Sequence, residues 1–205
     1  MQLQDPLAVV APTLDAPVLA VLARAEQPFT GRQVHQLSQR GTEQGVRNAL
    51  ERLVRQGIVL RSQVGASYLY SLNRRHLAAP HVVALATLRD ELFERWRQQI
   101  GQWPVQPRVV VLFGSAAKGD MRPESDIDLL IVADVEHGAL EDHLVALQEA
   151  TTAWVGSDTR ILHVSSDQVT QDEAALVVAA SEGIVVDGDA KWFRRLLSQQ
   201  VAHGT

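Results

Sequence analysis

The stretch that decides the fold is VVVLFGSAAKGDMRPESDIDLLIVAD, residues 109–134. Two runs of branched apolar residues enclose a polar loop, and such runs are typical of strands that are buried on both faces. The first run ends in Gly114-Ser115, and the second is entered through Asp126-Ile127-Asp128. The pattern therefore predicts two neighbouring buried strands that carry their polar residues at one end.

These polar residues suit a metal ion and a phosphate. Asp126 and Asp128 share one face of the predicted strand, because side chains two apart on a strand point the same way. Two carboxylates ~5–7 Å apart repel each other unless a cation lies between them. Mg²⁺ fits, since it takes hard oxygen ligands and shares its other positions with phosphate and water. Gly114 allows close backbone approach, Ser115 offers donors and Lys118 adds positive charge.

The order Gly-Ser, a spacer of ten residues and Asp-x-Asp closely resembles the DNA polymerase beta-like nucleotidyltransferase superfamily. The resemblance covers about residues 82–195, and SEGIVVDG at 181–188 is similar to the tail of its minimal members. It implies Mg²⁺-dependent transfer of a nucleoside monophosphate from a nucleoside triphosphate to an acceptor hydroxyl. Gly114 and Ser115 occupy the family's nucleotide-binding positions, and Asp126 and Asp128 occupy its catalytic and metal-binding positions. Lys118 and Ser125 are further candidates for contact with the nucleotide.

The following strand, SDTRILHV at 157–164, departs from the family pattern. Active members usually place a third carboxylate there, either on the metal or as a base toward the attacking hydroxyl. Asp158 stands at the start of the strand and is the third catalytic candidate, although it could equally be a loop residue. If Arg160 points at the site, it would occupy the cation's place and weaken metal binding. Asp and Gly are also common turn residues, so capping of strand ends is the structural alternative.

The rest of the C-terminal half alternates between strands and helices, which predicts an α+β domain with flanking helices. The predicted elements are a helix at 138–154, a strand at 159–164, a helix at 172–182, a strand at 184–186 and a helix at 191–201.

The N-terminal half predicts three helices followed by a β-hairpin. Thr30 is placed as the N-cap of the second helix, and the third runs over about 43–56 with an apolar stripe at helical spacing. LERLVRQGIVLRSQVGASYLYSLN at 50–73 is similar to a recognition helix that runs into a wing. Over residues 14–75 the chain thus resembles the winged helix-turn-helix superfamily, which implies binding of double-stranded DNA.

Five polar residues on or beside the third helix and the hairpin are the DNA-binding candidates, because Arg reads guanine and Asn or Gln reads adenine in the major groove. They are Arg40, Gln44, Arg47, Asn48 and Arg61. The alternative is a solvated helix face in a domain that uses this fold for protein contacts.

Charge divides the chain in the same way. Residues 1–78 contain nine arginines against five acidic residues, a net charge of +4, while residues 79–205 contain ten basic against nineteen acidic residues, a net charge of −9. We therefore expect two domains, 1–78 and 79–205, with different partners. A single amphipathic helix over 81–99 is predicted to open the second domain, and it could supply the interface of a homodimer.

Composition excludes several classes of protein. The chain has no cysteine, which excludes a disulfide framework, a zinc-thiolate site and a cysteine nucleophile and fits a cytoplasmic protein. No signal peptide is recognised, and no apolar run approaches the ~20 residues that cross a bilayer. The alternative to an enzyme is a DNA-binding regulator or antitoxin whose second domain is degenerate, nucleotide-sensing or a scaffold. Because minimal family members often act in toxin–antitoxin pairs, a toxin or acceptor protein is the expected partner.

Overall fold

A computed structural model describes residues 1–135, 138–165 and 180–203. The chain divides into two compact units, which are described separately below. The first consists of Gln2 and Gln4–Arg89, and the second of Met1, Leu3 and Asp90–Thr205. The division thus falls between residues 89 and 90 rather than at the expected 78/79.

The first unit contains four α-helices and a small antiparallel sheet of order β1-β3-β2. A 3-10 helix at Pro6–Val9 precedes its regular elements, which are α1 (Asp15–Arg24), β1 (Phe29–Thr30), α2 (Gly31–Ser38), α3 (Glu43–Arg55), β2 (Val59–Val64), β3 (Ser67–Leu72) and α4 (Ala79–Ala86).

Local signals in the sequence account for α2 and α3. Thr30 caps α2 through a capping box, in which its hydroxyl accepts from the Gln33 N–H while the Gln33 side chain accepts from the Thr30 N–H. The buried residues of α3 are Val46, Ala49, Leu50 and Leu53, which lie at the spacing of one helix face. The expected N-cap and the expected third helix are therefore confirmed.

The predicted single helix at 81–99 was wrong. The segment forms α4 and a separate helix, α5 (Leu88–Ile100), because Thr87 ends the first one. The Thr87 hydroxyl donates to the carbonyls of Val83 and Ala84, at 3.0 and 3.2 Å, and such bonds compete with helix continuation. The last carbonyl of α4, that of Ala86, accepts two bonds from Arg24, which ties α4 to the first unit.

The second unit is built on a four-stranded sheet of order β6-β5-β4-β7, in which only β5 and β6 run parallel. Its elements, besides α5 and a 3-10 helix at Ala180–Glu182, are β4 (Val109–Phe113), α6 (Gly114–Lys118), β5 (Ile127–Val132), α7 (Glu141–Val155), β6 (Thr159–Val164), β7 (Ile184–Gly188) and α8 (Ala190–His203).

Both faces of this sheet are covered, which explains the continuous apolar runs of the central strands. Along β5, Leu129 and Ile131 pack with α5 and α7, whereas Leu130 and Val132 pack with Phe193 of α8. Asp128 shares the second of these faces, because it is an even-numbered residue of the same strand. The acidic pair therefore lies at the end of a strand whose remaining length is fully buried.

The predicted mixture of helices and strands is confirmed for the second unit, where the predicted helix at 138–154 and the predicted strand at 159–164 correspond to α7 and β6. Most of the predicted helix at 172–182 lies outside the described residues. Among the residues that the structure describes, no helix has both the length and the apolar character needed to cross a bilayer.

Candidate active site

The turn at Gly114 brings the end of β4 against the acidic strand. Phe113, the last residue of β4, is the register partner of Asp128 on β5. Gly114 follows with φ of +69°, and a Cβ atom placed on it would lie 2.6 Å from Oδ2 of Asp128. Only glycine therefore fits, for backbone conformation and for space alike. The Gly-Ser motif is thus in direct contact with the second residue of Asp-x-Asp.

Asp126 directly precedes β5 and Asp128 is the second residue of that strand, and both are partly buried. Burial raises the pKa of the Asp128 carboxyl above its ordinary value, and the negative charge of Asp126 raises it further. The guanidinium of Arg160 opposes both effects on the Asp128 pKa. The pair thus has the electrostatic character of a cation site, since its two like charges need a positive partner.

Arg160 supplies that positive partner in this structure. It is the register neighbour of Asp128 on the parallel strand β6, so the two side chains share a face of the sheet. Its Nη2 lies 2.6 Å from Oδ2 of Asp126. The Arg160 side chain is 75% exposed, whereas that of Asp126 is 23% exposed. The sequence-based condition that Arg160 points at the site is therefore met.

Asp158 directly precedes β6 and is exposed. Its backbone carbonyl accepts a bond from the Ile127 N–H at 2.8 Å, which joins β6 to β5 at the entrance of the acidic strand. Within the described ranges, no group of three or more acidic or histidine side chains is arranged to hold a metal ion. The role of Asp158 as a third ligand or base remains a prediction.

The other predicted nucleotide contacts lie on both sides of this corner. Ser115 is the second residue of α6 and is partly buried. Lys118 ends the same helix, and its ammonium lies 3.0 Å from a carboxylate oxygen of Glu182. The Ser125 hydroxyl accepts from the Arg122 N–H at 2.9 Å, so it stabilises the loop before β5. The sequence did not predict Glu182 as a neighbour, and only its position in the SEGIVVDG segment could have suggested one.

The residues present fit a magnesium ion that is held jointly with a nucleotide. Two carboxylates on one face are enough for Mg²⁺ when phosphate oxygens and water complete its octahedral shell. The two carboxylates do not form a complete cation site from protein groups alone, because the neighbouring position on β6 is Arg160 rather than an acidic residue. Asp126 and Asp128 would be the metal ligands, and Ser115 and Lys118 would face the polyphosphate.

The predicted DNA-binding residues lie on the exposed side of the first unit. Gln44, Arg47 and Asn48 are exposed on α3, although the amides of Gln44 and Asn48 are hydrogen-bonded to each other at 2.9 Å. Arg40 lies before α3 and is 3.7 Å from a carboxylate oxygen of Asp5. Arg61 lies on β2, where its guanidinium is 4.7 Å from the centre of the Tyr68 ring.

A groove of about 330 Å³ lies between the start of α2, the exposed side of α3 and the β2–β3 hairpin. Three arginines line it, namely Arg32, Arg47 and Arg61. Two acidic residues of α3, Glu43 and Glu51, line it as well. The structure thus brings Arg47 and Arg61 together in one concavity but leaves Arg40, Gln44 and Asn48 outside its lining.

The second unit is therefore defined by a mixed sheet whose acidic strand end contacts a Gly-Ser turn. Residues 89–176 match the family model described as "Nucleotidyltransferase domain". The comparison with curated proteins found no match.

Three solved structures match about half of this chain. A toxin–antitoxin structure with AMP-PNP is 17% identical over 55% of this chain and 86% of its own, with a TM-score of 0.42. The MntA-HepT toxin–antitoxin structure is 14% identical over 56% and 86%, with a TM-score of 0.39. A tri-AMPylated Shewanella oneidensis HEPN toxin in complex with MNT antitoxin gives 13% over 56% and 85%, with a TM-score of 0.41.

Proposed function

We propose that the second unit transfers a nucleoside monophosphate from a nucleoside triphosphate to an acceptor hydroxyl, with Mg²⁺ as the cofactor. The observation that carries the proposal is the close approach of the Gly114 turn to Asp128, whose carboxyl also feels the charge of Asp126 just before β5. This corner offers two metal ligands next to a backbone that a phosphate can approach closely. It is an arrangement for in-line transfer, in which positioning and charge neutralisation do most of the work.

Each residue has a separate task in this reaction. Asp126 and Asp128 would hold the magnesium ion through their carboxylates. Ser115 donates to a phosphate oxygen, and Lys118 adds a positive charge after it leaves Glu182. Asp158 is proposed as the residue that accepts the proton of the acceptor hydroxyl, since it is exposed at the edge of β6. A magnesium ion held by the two aspartates would supply Lewis-acid stabilisation as the pyrophosphate leaves.

The test is label transfer from nucleoside triphosphates that carry a labelled α-phosphate, with duplex DNA, RNA and protein offered as acceptors. The wild type is expected to label one acceptor class only when Mg²⁺ is present. Asp128→Asn is expected to lose transfer, whereas Asp142→Asn, the same chemical change on the exposed side of α7, is expected to keep it. The proposal fails if no acceptor is labelled and calorimetry detects no nucleotide binding.

For the first unit we propose a winged helix-turn-helix domain that binds double-stranded DNA. The support is the order α2, α3 and hairpin, together with the arginines that surround the groove between them. Arg47→Ala is expected to weaken binding of a specific duplex by about 1–3 kcal/mol. The exposed Arg75 carries the same charge away from the groove, so Arg75→Ala is expected to have a smaller effect. Equal affinities of Arg47→Ala and the wild type would contradict this assignment.

A second candidate function is favoured by the ion pair between Arg160 and Asp126. In that case the protein is a DNA-binding regulator or antitoxin, and its second unit senses a nucleotide or contacts a partner such as a toxin without transferring anything. Footprinting on the gene's own upstream DNA, with and without nucleoside triphosphate, separates the two candidates. Nucleotide-dependent DNA protection without label transfer supports the regulator, whereas label transfer supports the enzyme.

A further inference from the structure

Arg160 is held in the acidic corner by a single contact. Its guanidinium pairs with Asp126 at 2.6 Å, and three quarters of its side chain is exposed. Among the described residues, no other hydrogen bond or ion pair of the Arg160 side chain is found. Because the side chain is long, mostly solvated and anchored at its tip alone, it can leave Asp126 without disturbing the packing of β6.

A second arginine–aspartate pair, at the opposite end of the sheet, allows a comparison with a more firmly held arginine side chain. Arg108 pairs with Asp134 just beyond the other ends of β4 and β5. The Arg108 guanidinium also lies 5.3 Å from the centre of the Trp192 ring. The Arg108 side chain is therefore held by an ion pair and an aromatic ring, whereas that of Arg160 is held by an ion pair alone.

Arg160 and a divalent cation compete for the same carboxylate. Both need an oxygen of Asp126, and two positive groups at one carboxylate repel each other. An arginine that leaves Asp126 has a natural new partner in a polyphosphate, since guanidinium binds phosphate oxygens with two parallel donors. Lys118 is likewise paired with a carboxylate, that of Glu182. Both cations that flank the corner are thus engaged by acids in this structure.

We propose that Arg160 excludes the cation from the free protein and turns from Asp126 to the polyphosphate when a nucleoside triphosphate binds. Metal and nucleotide then bind cooperatively, because each removes an obstacle to the other. Arg160 is a positioning and substrate-sensing residue in this scheme. The inference rests on the proposed nucleotide and metal site, but it does not require that transfer takes place.

The experiment is calorimetry on the full chain with three titrants: Mn²⁺ alone, a non-hydrolysable triphosphate analogue with chelator, and the analogue in saturating Mn²⁺. The wild type is expected to bind Mn²⁺ alone weakly. It is expected to bind the analogue at least ~10-fold more tightly in saturating Mn²⁺ than with chelator, a normal size for coupling between two ligands. Arg160→Gln is expected to bind Mn²⁺ alone more tightly, to bind the analogue alone more weakly and to lose most of the coupling.

Arg108→Gln is the matched control, since it breaks an arginine–aspartate pair of the same sheet away from the corner, and it is expected to keep the wild-type coupling. Arg160→Lys keeps the charge but lacks the planar pair of donors, so an intermediate coupling is expected. Tryptophan fluorescence checks that each variant is folded.

Unchanged coupling in Arg160→Gln would overturn the inference and leave the proposed function intact. Weaker Mn²⁺ binding by Arg160→Gln would overturn it as well, because Arg160 would then be needed to orient Asp126 for the metal. If the wild type and Arg160→Gln bind neither Mn²⁺ nor the analogue, the proposed function and the inference fall together.

Discussion

At the scale of single residues, the acidic corner depends on a glycine. The backbone of Gly114 has a positive φ, and its missing side chain leaves room for Oδ2 of Asp128. The two requirements are separable, because Gly156 has a similar φ of +72° but no atom within 4 Å of an added Cβ. A comparison of the two positions therefore distinguishes backbone strain from displacement of Asp128.

Gly114→Ala and Gly156→Ala are both expected to lower the free energy of unfolding by about 1–2 kcal/mol, the cost of a left-handed residue with a Cβ. Only Gly114→Ala is expected to weaken binding of Mn²⁺ with a triphosphate analogue, because only it pushes Asp128 aside. Denaturant unfolding and calorimetry measure the two effects. Equal ligand affinities in both variants would show that the contact with Asp128 does not matter.

The pKa of Asp128 leads to a prediction about pH. Burial and Asp126 raise this pKa, so the native state holds the proton more tightly than the unfolded chain does. Stability from Asp128 is therefore present below the ordinary pKa of aspartate and is lost as pH rises through the higher pKa of the folded protein. Asp128→Asn is expected to unfold at a higher temperature than the wild type at neutral pH.

The difference in melting temperature between Asp128→Asn and the wild type should shrink as the pH falls toward the ordinary pKa of aspartate. Thermal unfolding at a series of pH values measures it, with Asp142→Asn as the exposed control. A wild type that is the more stable protein at neutral pH would contradict the assigned direction.

At the scale of elements, capping residues fix where α2 and α3 begin. Thr30 and Gln33 close the first turn of α2 by a reciprocal pair of bonds, and the neighbouring Arg32 lines the groove of the first unit. Thr42 caps α3 in a simpler way, through one bond from the Gly45 N–H. In both cases the signal is local, so it could be recognised before the fold was known.

Thr30→Ala is expected to lower the stability of the first unit by about 1 kcal/mol, because helix N–H groups lose their acceptor. Thr30→Ser keeps the hydroxyl and is expected to remain close to the wild type. Unfolding followed by tyrosine fluorescence measures the change, since Tyr68 and Tyr70, the two tyrosines of the chain, both lie in β3. A loss as large in Thr30→Ser as in Thr30→Ala would argue against the capping box.

At the scale of the whole molecule, the two units are not simply two consecutive segments. Leu3 is fully buried in the core of the second unit, although 86 residues of chain separate it from Asp90, where the rest of that unit begins. Leu7, four residues further on, belongs to the core of the first unit. The chain therefore contributes to both cores within its first few residues.

Leu3→Ala is expected to lower the stability of the second unit by roughly 2–5 kcal/mol, the usual cost of such a truncation in a core. Tryptophan fluorescence reports on that unit alone, because all four tryptophans lie beyond residue 89. Leu7→Ala is the matched control and is expected to shift the tyrosine signal instead. A tryptophan transition that is unchanged in Leu3→Ala would show that Leu3 does not belong to that core.

The sequence by itself determined the two buried strands of the acidic corner, the Asp-x-Asp face, the cap at Thr30 and the apolar stripe of α3. These features depend on the regular spacing of side chains and on hydrogen bonds between residues close in sequence, so the local sequence is enough to predict them. The single helix predicted over 81–99 failed because apolar spacing continues across Thr87 while the backbone does not.

Only the tertiary structure decided how distant residues meet. The parallel register of β5 and β6 sets Arg160 beside Asp128 and within reach of Asp126. From the sequence we could state only what would follow if Arg160 pointed at the site. The pairing of Lys118 with Glu182 and the burial of Leu3 likewise join segments far apart in the chain. Amino-acid composition and the spacing of apolar residues contain no information on such contacts. The contacts depend on which strand edges and helix faces come together when the chain packs.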